Sequence, residues 1–179
     1  MTAITAPDAS GQLFRKTSVQ EAAVLLAVAA VIPLLVHLLP SWDATRLGGH
    51  LLPMFWMTFV AAYLYGPRLG VLAGLVAPLA NLLLTGQPAG RSLGVLTMEL
   101  VVFALLAVWA ARRFPRCWLV APLSYAGARL VSILLQAGLA SGGFGAAPAL
   151  LLRSVVTGLA GLGLLALINA VLAKLYARR

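Results

Sequence analysis

Six long apolar stretches alternate with short polar segments along the 179-residue chain. A helix needs about 20 apolar residues to cross a bilayer core of about 30 Å, so each stretch is predicted to span a membrane. The predicted spans are residues 19–39, 51–65, 69–85, 93–111, 118–140 and 149–172. The second and third are short, a mismatch that lipid accommodates by thinning. The pattern therefore predicts an all-α integral membrane bundle of six transmembrane helices, a single domain over 19–176 that follows an N-terminal tail, residues 1–18.

The composition supports a membrane protein and excludes several classes of function. Hydrophobic residues make up 62% of the chain, charged residues 9%, and the mean hydropathy is +1.00, values outside the range of soluble domains. A net charge of +9 suits nucleic acid only when the cations share a solvated face, and here they lie at the ends of apolar stretches. No nucleic-acid partner is expected. Cys117 is the single cysteine, so a disulfide framework and a cysteine metal site are excluded.

The positions of lysine and arginine predict the orientation of the bundle. With a cytoplasmic N-terminus, one set of cations faces the cytoplasm: Arg15, Lys16, Arg68, Arg112, Arg113, Arg116, Lys174, Arg178 and Arg179. Only Arg46, Arg91 and Arg153 then face outward, and Arg129 lies within span five. Because cytoplasmic loops of membrane proteins are enriched in lysine and arginine, both termini are predicted to be cytoplasmic.

Glu99 stands inside the apolar stretch "MELVVFALLAVW", residues 98–109. A lone charge near the bilayer centre costs about 3 kcal/mol on insertion scales, so this carboxylate requires a partner or a water-filled cavity. Arg129 on span five differs from it in depth by about 7 Å, at about 1.5 Å per helical residue. An arginine side chain bridges that distance, so we expect both charges to point into the bundle.

Further polar residues accompany this pair. Spacings of 4, 3 and 4 place one set on a single face of span five: Tyr125, Arg129, Ser132 and Gln136. Asn81 on span three and Arg153 on span six add polar groups in the outer half of the membrane. These residues predict a cavity for a small polar molecule. The alternative is a purely structural ion pair between two helices.

The small residues and the two histidines indicate less specific roles than the charged residues do. Ala23 and Ala27 on span one, like Gly70 and Gly74 on span three, favour close helix approach, either within the bundle or against a second membrane protein. The run "GLAGLG", residues 158–163, has no preceding strand, so it predicts close packing rather than a nucleotide loop. His37 and His50 lack the companions of a metal site and are interpreted as interfacial residues, and no metal is expected.

Residues 52–113 carry a family resemblance. The "GPRLGVLAG" hairpin, the "P…N…TGQP" end of span three and the "MEL" opening of span four followed by an arginine pair resemble the substrate-binding S components of energy-coupling factor (ECF) vitamin transporters. Family-like length, six spans and cytoplasmic termini extend the resemblance over residues 19–176. The spelling "TGQP" differs from the "GMP" of one subgroup.

The resemblance implies a non-enzymatic binding subunit in the bacterial plasma (inner) membrane, in contact with membrane lipid. It would capture a small water-soluble micronutrient, such as biotin, riboflavin, thiamine, cobalamin or a queuosine precursor, at the outer face. It would deliver that ligand together with a transmembrane T component and two ABC-type ATPases, which hydrolyse the ATP, and it needs no cofactor in this chain.

The resemblance also implies roles for individual residues. The ligand would contact Trp56, Asn81, Glu99, Tyr125, Arg129, Ser132, Gln136 and Arg153, and the T component would contact Ala23 and Ala27. Arg129 or Arg153 would hold an anionic group, Glu99 a donor, and Trp56 or Tyr125 a ring. Residues 41–50 and 140–148 would close over the site.

Two other functions stay open. A six-span structural or scaffold protein predicts no ligand and tolerance of change at Ser132 and Gln136. A small intramembrane enzyme would depend on Glu99 and His37 as its acid–base groups.

Overall fold

The computed structural model describes residues 18–38, 50–139, 145 and 147–176, and within these ranges the chain is all helical. The helices are α1 (Val19–Leu38), α2 (Pro53–Tyr65), α3 (Pro67–Thr85), α4 (Arg91–Arg113), α5 (Val120–Leu139), α6 (Ala147–Thr157) and α7 (Leu159–Tyr176). Five of them, α1, α3, α4, α5 and α7, are long and apolar enough to cross a membrane. This architecture indicates a multi-pass membrane protein.

Two of the predicted helix boundaries have clear local causes. The backbone N–H of Ser18 donates to Glu21 Oε2 at 3.2 Å, and the N–H of Glu21 donates to Ser18 Oγ at 3.1 Å. This reciprocal pair satisfies two of the N–H groups that a helix start leaves without partners, so Glu21 marks the beginning of α1. Between α2 and α3, Gly66 has a φ of 87° and Pro67 occupies the first helical turn, which makes the predicted "GPR" turn very tight.

Aromatic packing places α2 at the centre of the bundle, in contact with α1, α3, α4 and α7. The Phe55 ring meets Phe103 of α4 and Tyr125 of α5 edge to face, with centroids 5.1 and 5.0 Å away. Phe59 is fully buried one turn further along α2. Edge-to-face pairs add to the free energy gained by burying the rings themselves. The short second span is therefore the core around which the longer helices pack.

Glycines on α3 allow close approach inside the bundle. A Cβ atom on Gly70 would lie 2.7 Å from Ala62 Cβ, and one on Gly74 would lie 3.1 Å from the Leu100 carbonyl carbon. Both glycines therefore pack against helices of this chain, which decides between the two alternatives for that pair. Ala23 and Ala27 on α1 are exposed on the surface of the described bundle.

The prediction of one continuous helix for the last span is wrong. The sequence predicts one span over 149–172, whereas the structure has α6 and α7 meeting at Gly158. His50 Nδ1 donates to the Thr157 carbonyl at 2.8 Å, so a side chain takes a carbonyl at the end of α6. Cβ positions on Gly158 and Gly161 would lie 3.2 Å from Leu52 Cδ1 and 2.6 Å from the Leu51 carbonyl oxygen. The "GLAGLG" run is thus a close-packing segment, as predicted.

Packing contacts show which helix ends lie together. Ala22 and Leu25 near the start of α1 pack against the cluster formed by Ala61, Leu69 and Ala73 of α2 and α3. Asn169 Nδ2 of α7 donates to the Cys117 carbonyl in the α4–α5 turn at 2.7 Å. These contacts gather the start of α1, both turns and the end of α7 at one end of the bundle, which we call the basic end. Its described cations are Arg68, Arg112, Arg113, Arg116 and Lys174, while Arg91 and Arg153 belong to the opposite half.

The glycine contacts yield a test of the fold. Gly70→Ala is expected to lower the melting temperature of the purified protein in detergent, because overpacking a tight contact costs about 1–3 kcal/mol. Gly163→Ala is the matched control, since nothing lies within 4 Å of its Cβ position. Alanine raises helix propensity by up to about 1 kcal/mol, so this control is expected to melt at an unchanged or higher temperature. Equal melting temperatures for the two variants would contradict the packing of α2 against α3.

Candidate functional site

Three helices meet through a polar cluster formed by Glu99 of α4, Arg129 of α5 and Ser154 of α6. Arg129 Nη1 donates to Glu99 Oε1 in an ion pair, and Arg129 Nε donates to Ser154 Oγ at 3.0 Å. The Ser154 hydroxyl in turn donates to the Leu150 carbonyl at 2.8 Å. The predicted partnership of Glu99 and Arg129 is present. We call these three side chains the Glu99–Arg129–Ser154 cluster.

The two charges of the cluster differ in burial. The Glu99 side chain is 5% exposed, whereas the Arg129 side chain is 31% exposed. A guanidinium has five N–H donors, and the contacts above use Nε and one proton of Nη1. Within the described ranges, Nη2 of Arg129 makes no hydrogen bond. The carboxylate is thus enclosed by protein, while the guanidinium belongs to a partly exposed side chain and keeps N–H donors beyond these two contacts.

The cluster lies toward the end of the bundle opposite the basic end. Glu99 is about 12 Å along α4 from Arg91 and about 21 Å from Arg113, at about 1.5 Å per residue. Ser154 is about 10 Å along α6 from Ala147 by the same rise. The cluster therefore lies nearer to the Arg91 end of α4 than to its Arg113 end.

The polar stripe of α5 faces the bundle as predicted. Tyr125 and Ser132 are buried, and Leu130, Leu134 and Leu135 on other faces of the helix are exposed. Gln136 Nε2 donates to Ser132 Oγ at 3.0 Å, so these two side chains partner each other within the stripe. Tyr125 packs on Phe55 and lies close to Gly158, which ties the stripe to the aromatic core as well as to the last helices.

Three other predicted site residues lie apart from the cluster. Asn81 Nδ2 donates to the Gln87 carbonyl at 2.7 Å and so holds the α3–α4 turn. Trp56 packs against the core. Among the described residues, its buried indole N–H has no hydrogen-bond acceptor, and the buried Asn81 Oδ1 has no donor. Arg153 is exposed on α6. The structure brings together Glu99 and Arg129 but not these three residues.

Ser154 and His50 have structural partners that the sequence interpretation missed. For span six it singled out Arg153, while the hydroxyl that accepts a hydrogen bond from Arg129 belongs to Ser154. The available signal was a serine within an otherwise apolar helical stretch, which normally needs a hydrogen-bond partner. The Thr157 carbonyl can only accept, so the hydrogen bond from His50 requires a proton on Nδ1.

Some predicted features lie outside the described residues. The side chain of His37, residues 41–49 and most of the 140–146 segment are outside. Across the ranges that are described, no three His, Cys, Asp or Glu side chains are grouped closely enough to bind a metal ion. Comparison with protein-family models, curated proteins and solved structures finds no match for this chain.

Unequal burial predicts unequal effects of removing each charge. Arg129→Gln leaves the enclosed Glu99 carboxylate without its ionic partner. It is expected to destabilise the protein by about 3 kcal/mol, as for loss of one partner of a buried pair. Glu99→Gln keeps an oxygen acceptor and leaves a partly exposed guanidinium, so a loss of about 1 kcal/mol is expected. Thermal and chemical unfolding in detergent measure both.

The double variant Glu99→Gln/Arg129→Gln provides the control. It removes both charges and is expected to be more stable than Arg129→Gln alone, because no unpaired carboxylate remains. A double variant that is less stable than either single variant would argue against the ion pair as the source of the effect.

Proposed function

We propose that this chain is the membrane-embedded substrate-binding subunit of an importer of the ECF type. In this proposal it captures a small, water-soluble, vitamin-like micronutrient from outside a bacterial cell. A transmembrane T component and two ABC-type ATPases complete the transporter, and those ATPases hydrolyse the ATP. Six spans and cytoplasmic termini belong to the same proposal, with α6 and α7 together forming the sixth span.

The observation that carries the proposal is the partly exposed Arg129 guanidinium beside an enclosed carboxylate. A purely structural pair is stabilised most when both partners are enclosed and fully hydrogen-bonded. Here Arg129 is 31% exposed, and two N–H donors of Nη2 remain beyond the contacts to Glu99 and Ser154. Planar guanidinium groups bind carboxylate and phosphate groups through paired hydrogen bonds. The ligand class favoured is therefore one with an anionic group.

The two partners of Arg129, Glu99 and Ser154, take supporting roles in this proposal. Glu99 is too enclosed to reach a solute, so it fixes the guanidinium by the ion pair rather than contacting the ligand. Ser154 fixes the same group from α6 through Nε. A guanidinium held in one orientation loses less conformational entropy when it binds an anion.

The distribution of charge and small residues supports the remaining parts of the proposal. Cations concentrate at the basic end, which the positive-inside rule assigns to the cytoplasm, so Arg129 lies in the outer half. Ala23 and Ala27 are exposed on α1, where small side chains permit close approach of a second membrane protein such as a T component.

A structural or scaffold function is the second candidate, and one observation favours it. Each member of the Glu99–Arg129–Ser154 cluster has a partner within the chain, so the cluster joins α4, α5 and α6 without any ligand. In this alternative no small molecule binds, and the cluster contributes only to stability.

Ligand binding separates the two candidates. Native mass spectrometry of the protein purified from its host detects a small molecule that co-purifies, and thermal shifts with biotin, riboflavin, thiamine and cobalamin test defined probes. We expect one probe to raise the melting temperature of the wild-type protein. Arg129→Lys keeps the charge but loses the fork of donors, so we expect it to remain folded and lose most of that shift.

Arg91→Gln is the matched control, because it removes an exposed arginine at the start of α4, in the same half of the bundle, that is neither part of the cluster nor a predicted ligand contact. It is expected to retain the full thermal shift. Absence of a co-purifying molecule together with no shift from any probe supports the scaffold function instead. A shift that Arg129→Lys retains in full would show that Arg129 does not bind the ligand.

A further inference from the structure

Two side chains on the polar face of α5 keep hydrogen-bonding atoms that the rest of the described chain does not use. Arg129 and Gln136 are seven residues apart, which is about two helical turns. They therefore lie on the same face, separated by about 10 Å along the helix axis. Both are partly exposed, whereas Ser132 and Ile133 between them are buried. This face presents two polar groups at a fixed separation.

The orientation of the Gln136 amide is set by Ser132. Gln136 Nε2 donates to the Ser132 carbonyl at 3.3 Å and to Ser132 Oγ at 3.0 Å. A carbonyl only accepts, so the nitrogen of the amide, and not its oxygen, must lie beside Ser132. Within the described ranges, Gln136 Oε1 accepts no hydrogen bond. Gln136 therefore offers a positioned acceptor, as Arg129 offers the donors of Nη2.

Arg129 and Gln136 require opposite kinds of group from a ligand. A guanidinium donates, and it binds an anionic carboxylate or phosphate most strongly. An amide oxygen accepts, so its partner is an N–H or O–H donor. Gln136 lies three residues before the end of α5 at Leu139, whereas Arg129 lies about 15 Å from that end. The anionic end of a ligand therefore lies deeper in the bundle than its donor end.

We infer that this face binds a solute with a carboxylate or phosphate at one end and N–H donors of an amide or urea group about 10 Å away at the other. Arg129 binds the anion, and Gln136 Oε1 accepts from the donor end. The inference rests on the proposed function, because it specifies the substrate class of the same site. It makes Gln136, which is outside the Glu99–Arg129–Ser154 cluster, a specificity-determining residue.

Simpler solutes use only part of this arrangement. An inorganic anion would bind Arg129 but leave Gln136 Oε1 without a donor, and a neutral amide would bind Gln136 alone. A cation is repelled by the guanidinium. Among the probes named above, biotin has a carboxylate at one end and two ureido N–H donors at the other, whereas thiamine is a cation and riboflavin has no anionic group. Biotin is therefore the probe that represents the inferred class.

Calorimetric titration of the purified full-length protein in detergent, with biotin and biotin methyl ester, tests the inference. We expect the wild-type protein to bind biotin roughly tenfold or more tightly than the ester, which lacks the anion. Gln136→Met is expected to weaken both probes by the same factor, roughly threefold to tenfold, since both carry the ureido donors. Arg129→Lys is expected to weaken biotin and leave the affinity for the ester unchanged.

Gln20→Met is the matched control, because it makes the same substitution at an exposed glutamine in the first turn of α1, at the basic end. It is expected to keep both affinities. A biotin derivative methylated on both ureido nitrogens tests the donor end with the wild-type protein alone. It is expected to bind roughly threefold to tenfold more weakly than biotin, and an unchanged affinity would overturn the inference.

The outcomes separate this inference from the proposed function. Binding of riboflavin or thiamine but not biotin would keep the transport function and overturn the substrate class, as would a co-purifying molecule without an anionic group or without an N–H donor. Loss of affinity in Gln136→Met for biotin but not for its methyl ester would overturn direct contact, because Gln136 would then act through Arg129. The absence of any bound probe and of any co-purifying molecule would contradict the proposed function itself, and the inference with it.

Discussion

The pairing of Glu99 with Arg129 is the interaction on which the arrangement of the later helices depends. In a low-dielectric interior neither charge is stable alone, so α4 and α5 must present these two side chains to each other. Ser154 extends the constraint to α6 because the Arg129 Nε proton needs an acceptor there. Apolar packing between membrane helices allows many registers, whereas a charge pair with one defined acceptor allows few. The rotation and depth of α4, α5 and α6 follow from that requirement.

The aromatic core and the polar cluster stabilise the bundle in different ways. Phe55, Phe103 and Tyr125 fill the centre through contacts that tolerate small displacements, since hydrocarbon surfaces pack in many ways. Tyr125 belongs to both systems, because it packs on Phe55 and shares a helical face with Arg129. The glycines of α3 allow α2 and α4 to approach α3 closely, so this core closes around α2.

Much of the fold could be predicted from the sequence because apolar length and charge placement are local properties. The "GPR" turn, the inward face of α5 and the Glu99–Arg129 pair all follow from spacing that a helix converts directly into geometry. Ser154 and the junction at Gly158 could not be predicted in this way. They depend on Arg129 and His50, residues distant in the chain, so only the three-dimensional arrangement of helices identifies the partner.

The same limit applies to the function. Spacing places Asn81 on a polar face, but its amide bonds the Gln87 carbonyl in the adjoining turn, a contact that periodicity does not encode. The exposure difference between Glu99 and Arg129 likewise depends on which neighbouring helices cover each group. The resemblance to S components rests on short sequence motifs, and the proposed transport function is tested by ligand binding at Arg129.

The junction at Gly158 gives the last two helices separate attachments. Ser154 of α6 accepts a hydrogen bond from Arg129 of α5. His50, which precedes α2, donates to the Thr157 carbonyl at the end of α6. Asn169 instead anchors α7 near the α4–α5 turn, at the other end of the bundle. Because Gly158 separates the two helices, a change in the tilt of α6 can be absorbed at this residue without displacing the attachment of α7 at the basic end.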